Sequence, residues 1–458
     1  MSKVLWFVVC LCAGALVVPG AASASGKPIP GQYIVVLEDG TDVSDAASDH
    51  SRRADAEVIH TYGAAIDGYA ARVSDAGLGR IKADPRVAYV MQDVKGNPTQ
   101  AETTPTGINR IDAELASPVT LATTTDPITG EVTAGSNKVT SGDVAIFDSG
   151  IDTAHPDLEV AGGVNCLGTD PYQNRTIGDE HGHGTHVAGT VGAKDNGSGV
   201  IGVAPGVRLW SVRVLNKYAS GSASTQLCGI NWLTANAGSL GIKVVNSSQV
   251  LFGKADDGNC GYTAGDALHK AICTSTQAGI TWVFAAGNSA SDYKLVAGAS
   301  YDEVLTVTAM GDGNGQPNVP TTASFSCVPA GSTKKWSGTD DKFADFSKYA
   351  TLAADKAHTI AAPGACIYST WKAGGYMHAN GTSMATPHVT AVAHRCILAG
   401  QCTGAPAEII QKLRSDAAAY NEANPGYGFS GDPLRPQGSG GKSNTQMYFG
   451  HLVRAAQY

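Results

Sequence analysis

The sequence predicts an α/β protein: a parallel sheet with helices on both faces, preceded by a small α+β domain. Three observations carry that expectation. From about residue 106 to the end, short apolar runs alternate with helical stretches at the spacing of strand–helix–strand crossovers. Residues from about 31 to 94 carry a shorter pattern of strands around two helices. Between them, Gly96-Asn-Pro-Thr-Gln-Ala-Glu-Thr-Thr-Pro105 is polar and contains two prolines, the composition of a protease-accessible linker.

The chain opens with Lys3, an apolar run from Val4 to Val18, and then Ala22-Ser23-Ala24. A basic start, a short apolar stretch and a small-x-small site are the pattern of a signal peptide over residues 1–24. The run is short for the ~20 residues of a membrane span. An exported, extracellular, soluble product is expected, with no membrane partner. In the small unit, Gln32–Leu37, Val58–Tyr62, Gly68–Val73 and Val87–Met91 read as strands, and Ser44–Ala56 and Asp75–Ala83 as helices.

In the larger unit the expected strands are Asp143–Phe147, Arg208–Leu215, Lys243–Asn246, Thr281–Ala286 and Val304–Thr308. The expected helices begin near His186 and cover Thr225–Gly238, Gly265–Ala278 and Thr386–Ala399. Residues 311–344 are polar and rich in Gly, Ser and Thr, and read as an inserted surface loop around Cys327. Met447–Val453 reads as an edge strand or a packed cover. In a parallel sheet, chemistry sits at the carboxyl ends of the strands.

Charged residues are only 16 % of the chain and glycine is abundant at 56 residues, which suits a compact, loop-rich protein. The net charge is −8 and no Lys/Arg stripe is present, so no nucleic-acid partner is expected. Eight cysteines follow the signal segment, an even count that suggests disulfides in an exported chain. Proximity favours Cys396 with Cys402, Cys260 with Cys273 and Cys327 with Cys366, which leaves Cys166 with Cys228. Sequence alone does not fix the connectivity. There is no CxxC, which argues against a zinc site.

Hydrolysis of a peptide bond by serine needs a nucleophile, a base, a carboxylate to orient the base, and donors for the oxyanion. Asp148 directly follows the strand Val144-Ala-Ile-Phe147, within Phe-Asp-Ser-Gly-Ile-Asp152. Taken alone, an acid there is more often a turn residue or a cap. His183 lies in His181-Gly-His-Gly-Thr-His-Val-Ala-Gly-Thr190, where small residues let a helix begin close to neighbouring backbone. Three histidines in six residues invite a metal reading, but there is no HExxH and no acid or Cys completes a ligand set, so metal ligands stay unassigned. His186 reads as a packed structural histidine. Ser383 lies in Asn380-Gly-Thr-Ser-Met-Ala-Thr-Pro-His-Val389, a loop turning into a helix. A serine there is commonly a cap; it is equally a nucleophile whose own N–H faces an oxyanion. Asn288 ends Val283-Phe-Ala-Ala-Gly-Asn288, where its amide is placed to donate to the same oxyanion.

With these four segments in hand, the chain resembles the subtilase family of serine endopeptidases, of the proteinase K and bacterial subtilisin types. The likeness covers nearly everything from about residue 30 to 400. The Asp, His, Ser order is that of subtilisin. The resemblance implies a subtilisin-like sheet, a catalytic triad of Asp148, His183 and Ser383, and an oxyanion hole of Asn288 and the Ser383 N–H. It implies substrate binding at Ser248 and Gly287, protein and peptide substrates, an acyl-enzyme, and a monomer. It further implies that residues 25–98 are an inhibitory propeptide ahead of a peptidase domain at 99–458, released by autolysis at a bond within roughly 94–104. The chemistry requires no cofactor; a structural calcium ion is allowed.

The chain also departs from the family. Asn246-Ser-Ser248 is followed by Gln249-Val250-Leu251 where the family has an apolar residue and glycines, so Val250 narrows or reshapes the pocket. The stretch matching a calcium loop, Leu295-Val-Ala-Gly-Ala-Ser300, lacks the usual proline. Glycosylation sequons occur at Asn174, Asn196, Asn246 and Asn380, the last two inside motifs where a glycan does not fit. Two other readings compete. A silent binding protein on this scaffold conflicts with the intact set of catalytic residues. An acid-active serine-carboxyl peptidase would carry Glu where His183 stands.

Overall fold

The computed structural model describes residues 27–64, 66–95, 102–116, 142–168, 176–317, 324–427, 429 and 447–458. The signal segment, residues 96–101 of the linker and the sequon at Asn174 lie outside them. The chain separates into two compact units that divide between Thr99 and Gln100.

The first unit runs β1 (Lys27–Leu37), α1 (Val43–Ala54), β2 (Glu57–Tyr62), β3 (Gly68–Arg72), α2 (Asp75–Lys82), β4 (Val87–Lys95). Its four strands form an antiparallel sheet in the order β2-β3-β1-β4. Local chemistry sets the helix starts: Asp42 accepts the N–H groups of Ser44 and Asp45, and Ser74 accepts that of Gly77. Val35, Leu37, Tyr69 and Ala71 of the sheet close on Ala46, Ala47 and Ile81 of the helices. All six expected elements are present, with no end moved by more than five residues.

The second unit begins with α3 (Thr106–Arg110) and then β5 (Asp143–Asp148), β6 (Glu159–Asn165), α4 (His183–Gly192), β7 (Arg208–Arg213), α5 (Ala223–Leu240) and β8 (Ile242–Ser247). It continues with α6 (Ala267–Gln277), β9 (Thr281–Ala285), β10 (Leu305–Gly311), β11 (Ser324–Cys327), β12 (Trp336–Thr339), β13 (Lys342–Phe343) and α7 (Ala353–Ala357). β14 (Thr359–Ala365), β15 (Ile367–Trp371), β16 (Gly375–Ala379), α8 (Thr382–Leu398) and α9 (Pro406–Ala423) complete it.

Seven strands lie parallel in the order β6-β7-β5-β8-β9-β10-β14, and short β13 joins β10 antiparallel. Every residue of β5, β9, β10 and β14 is buried, as expected of strands covered on both faces. One face packs on α4, α8 and α9 through Val187, Val191, Val389, Val392, Ile409 and Leu413. The other packs on α5 and α6 through Ile230, Leu233, Leu268 and Ile272. After β5 the chain first builds β6 and β7 to one side, then returns to place β8 on the other. That reversal makes the carboxyl end of β5 a topological switch point, where open parallel sheets hold their sites. Asp148 is the residue at that end.

All four disulfides form as proximity suggested: Cys166–Cys228, Cys260–Cys273, Cys327–Cys366 and Cys396–Cys402, with Cα separations of 5.2–5.9 Å. Residues 311–344 are not a simple surface loop. They contain the β11–β12 hairpin and β13, and Asp312, Asp340 and Asp341 are buried. The polar composition misleads because these carboxylates are internal acceptors. Asp341 takes the fully buried Arg110 Nε–H at 2.6 Å, and Asp340 takes the Gly313 N–H at 2.8 Å. The tail 447–458 is a cover, not a strand: Tyr448 and Leu452 make single bridges to Ala350 and Ala361, and Leu452, Val453 and Ala455 are buried. Among the described residues, no helix is long and apolar enough to cross a membrane.

Candidate active site

Asp148 ends β5 fully buried, and its Oδ1 accepts the N–H of Ser149 at 2.7 Å. His183 is the first residue of α4. Its Nδ1 stands 2.8 Å from Asp148 Oδ1 and 3.0 Å from Oδ2. A buried carboxylate on Nδ1 fixes the proton there and leaves Nε2 with its lone pair free to act as a base.

The helix start that holds His183 is built by residues the sequence reading missed. Asp179 accepts the N–H groups of His181, Gly182 and Thr185 and the hydroxyls of Ser149 and Thr185, all within 2.7–2.9 Å. Ser149 Oγ takes the Gly184 N–H at 3.0 Å. The orphan donors of the first turn are thus met by one carboxylate, one hydroxyl and the His181 ring, whose Nδ1 takes the His183 N–H at 3.3 Å. The available signal was an Asp ahead of a helix start with Thr at its third position. The glycines there are steric requirements. Gly182 has φ +115°, and a Cβ on it would lie 2.3 Å from the Trp371 indole. A Cβ on Gly184 would lie 2.0 Å from the Gly150 carbonyl oxygen.

Electrostatics separate the three histidines. For His183, burial is the largest single influence and favours the neutral ring. The charge of Asp148, its hydrogen bond and the charge of Asp179 together outweigh burial, and the pKa is raised above the ordinary value. His181 is lowered, by burial first and by His183 next. His186 is pushed down to about 3 by burial, and its Nε2 is held against the carbonyls of Ile367 and Met377 at 3.0 and 3.1 Å. His186 is therefore structural, as expected.

Ser383 is the second residue of α8. Its Oγ donates to the Ser248 carbonyl at 2.9 Å, and the Ser248 hydroxyl donates back to the Ser383 carbonyl at 2.7 Å. Among the described residues, Asp148 and His183 are joined directly, whereas the Ser383 hydroxyl is bonded to Ser248 and not to His183. Asn288 follows β9, and its Oδ1 accepts both the Thr382 N–H (2.8 Å) and the Thr382 hydroxyl (3.0 Å). Thr382 Oγ1 accepts the Gly287 N–H at 2.9 Å. With Oδ1 committed, Nδ2 is the atom left to donate. It faces the turn at Gly381, 3.1 Å from where a Cβ on that glycine would lie. Gly287 and Ser248 thus flank the turn at Ser383, one through Thr382 and one directly.

In the stretch matched to a calcium loop, the Val296 and Ala297 carbonyls accept the N–H groups of Ser300 and Leu251. Two acidic clusters lie near His269, but Cys260 and Cys273 are joined in a disulfide. The Asp257 carboxylate accepts the N–H groups of Asn259, Gly261 and Ala264. No metal is assigned to these residues. Asn196, one of the sequon residues, is committed through Nδ2 to Asp157 and through Oδ1 to Ser198.

A doubly covered parallel sheet with a carboxylate–imidazole pair at its switch point and a serine at a facing helix start defines a hydrolase of the α/β class. The subtilase family model matches residues 142–439, and the peptidase inhibitor I9 model matches residues 32–96. Subtilisin DY of Bacillus licheniformis is 35% identical over 283 residues, covering 61% of this chain and 85% of its own. Subtilisin NAT of Bacillus subtilis subsp. natto is 33% identical over 357 residues, covering 77% and 76%. A crystal structure of a cold adapted subtilisin-like serine proteinase shares the fold, with a TM-score of 0.50 at 24% identity, over 76% of this chain and 97% of that one. The chain belongs to the subtilase family: it is a serine endopeptidase with an I9 propeptide domain ahead of the peptidase domain.

Proposed function

We propose that this protein is a secreted endopeptidase in which Ser383 is the nucleophile, His183 the general base and Asp148 the residue that orients it. The observation that carries the reading is the Asp148–His183 pair, which leaves the Nε2 lone pair of a cleft histidine unprotonated. In the reaction the Ser383 hydroxyl turns from the Ser248 carbonyl to Nε2, a tightening common on substrate binding. Ser383 Oγ attacks the scissile carbonyl as Nε2 takes its proton. Asn288 Nδ2 and the Ser383 N–H donate to the oxyanion. The imidazolium then protonates the leaving amine, and water hydrolyses the acyl-enzyme by the reverse roles. The Ser248 carbonyl, released by Oγ, and Gly287 bind substrate backbone. Apart from the hydrolytic water, the steps use protein groups that one chain supplies, which supports a monomer acting on proteins and peptides.

The signal-type segment at 1–24 supports export. The I9 match supports residues 25–98 as an inhibitory propeptide, cut from residues 99–458 by autolysis within 94–104. The test is fluorophosphonate labelling together with peptide hydrolysis. Wild type is expected to mature, label and hydrolyse. Ser383→Ala is expected to stay uncut and unlabelled, with turnover down about 10⁶-fold, the scale known for subtilisin. A Ser383→Ala chain that matures in pure form and labels like wild type would remove the proposal.

A further inference from the structure

We propose that Ser248 is a positioning residue for the nucleophile: its hydroxyl replaces the helix hydrogen bond that Pro387 denies to the Ser383 carbonyl. The inference rests on Ser383 being the nucleophile and asks what holds it in place. Ser383 stands at the start of α8, so its carbonyl should accept the N–H of the residue four further on. That residue is Pro387, inside the helix, and proline has no N–H. Ser383 is half-buried, and a carbonyl there left without a donor loses a bond that water replaces only in part. The missing donor comes from another element: Ser248 Oγ, from a residue 3 % exposed just past β8, donates to the Ser383 carbonyl at 2.7 Å.

The hydroxyl has no freedom to point elsewhere. Asn246 Nδ2 donates to Ser248 Oγ at 2.9 Å, so the Ser248 proton must leave on the other side, toward Ser383. The Asn246 amide is itself oriented, because its Oδ1 accepts the Thr390 hydroxyl at 3.0 Å. Thr390 lies on α8, so the chain of bonds closes on itself: α8 to β8 and back to the nucleophile, through groups that are all buried. Ser248 thus grips Ser383 twice. Its carbonyl holds the resting hydroxyl, a bond given up when Oγ turns to His183. Its own hydroxyl holds the Ser383 backbone, a bond that persists through the reaction and sets the point from which Oγ swings. On the opposite side the Thr382 N–H is held by Asn288. Placement of the attacking oxygen is worth about 10²-fold for a misplacement of about 1 Å.

The test is a cycle of four full-length proteins: wild type, Ser248→Ala, Pro387→Ala and the double variant, with the linker opened by an added protease so that maturation does not depend on activity. The readouts are the fluorophosphonate labelling rate, kcat and KM. In the wild-type background, Ser248→Ala is expected to lower kcat and labelling about 10–100-fold. KM should barely move, because the substrate-binding group of Ser248 is its carbonyl. Ser248→Thr, which keeps the hydroxyl, should retain activity. In the Pro387→Ala background the helix regains an N–H for the Ser383 carbonyl, and the loss on Ser248→Ala should shrink at least about fivefold. Equal losses in both backgrounds, or wild-type kcat in Ser248→Ala, would overturn the proposal. If Ser248→Ala does not fold, Ser248→Cys, whose thiol is a weak donor, enters the same cycle. A Ser383→Ala control separates the two ideas. Labelling that survives it defeats the nucleophile assignment, whereas a silent control beside an unaffected Ser248→Ala defeats only the positioning role.

Discussion

Replacing Asp148 with Asn should disable the enzyme through the tautomer of His183 while leaving the fold intact. Asp148 Oδ1 takes the Ser149 N–H at 2.7 Å, and both oxygens face His183 Nδ1, Oδ1 at 2.8 Å and Oδ2 at 3.0 Å. In the variant the amide oxygen keeps the Ser149 bond, because an NH₂ there would oppose another donor. The amide nitrogen then occupies the Oδ2 position, 3.0 Å from Nδ1, where its hydrogens oppose a proton on Nδ1 and favour the ring protonated at Nε2. That moves the imidazole proton to Nε2, and the nitrogen that must accept from Ser383 no longer can. The group is fully buried, so solvent does not screen the loss of charge. The equivalent change in a serine protease costs about 10⁴ in kcat, or about 5.5 kcal/mol of transition-state stabilisation. The pH profile supplies a second readout. With His183 as the proposed base, activity should need its neutral ring, whose pKa is raised, so the acid limb of wild-type kcat/KM should lie above the ordinary histidine value of about 6.5. Without the Asp148 charge, burial dominates and the limb should shift to lower pH. The assay is peptide hydrolysis from pH 5 to 9, normalised by active-site titration. An Asp148→Asn enzyme within tenfold of wild type at pH 8, or a limb that does not move, would refute the assignment.

Asn288 allows donor and anchor to be separated. Asn288→Asp keeps an oxygen for Thr382 but removes the Nδ2 donor, so kcat should fall about 10²–10³-fold with little change in melting temperature; retention of activity would remove Asn288 from the oxyanion site. Stability should fall in mild acid, because burial holds His186 at about 3 and His388 and His394 at about 4. These are depressed values, so below about pH 6.5 the unfolded chain takes up protons that the fold refuses, and stability drops as pH falls toward 4. At pH 5 each group costs roughly 2 kcal/mol. His394→Leu removes a ring whose Nε2 has no hydrogen-bond partner, and should recover about one such share of the loss. Denaturant unfolding of the inactive Ser383→Ala protein at pH 7.5 and 5 measures this; equal pH dependence with and without His394 would contradict it.

What the sequence made legible was what local backbone decides. Asp148 follows an apolar run and sits at a strand end, and His183 and Ser383 precede helical runs of small residues and sit at helix starts. Each was placed by its own dozen neighbours. Asp179 was passed over although its bonds to residues 181, 182 and 185 are local; only its tie to Ser149, thirty positions away, needed the fold. The 311–344 segment was misread because its acids look solvated until Arg110, 231 residues distant, is found paired with Asp341. Helix α9 was passed over although Pro406 opens it and Glu408 reaches back to the Ala405 N–H, a start signal written in the chain. Pro387 marks the boundary between the two kinds of knowledge. That a proline in a helix deprives the carbonyl four residues earlier of its donor follows from covalent structure alone. Which group makes good the loss depends on a neighbour 135 residues away in sequence, and it is Ser248 that supplies the bond. A motif can therefore mark a serine while leaving unmarked the distant residue that bonds its backbone.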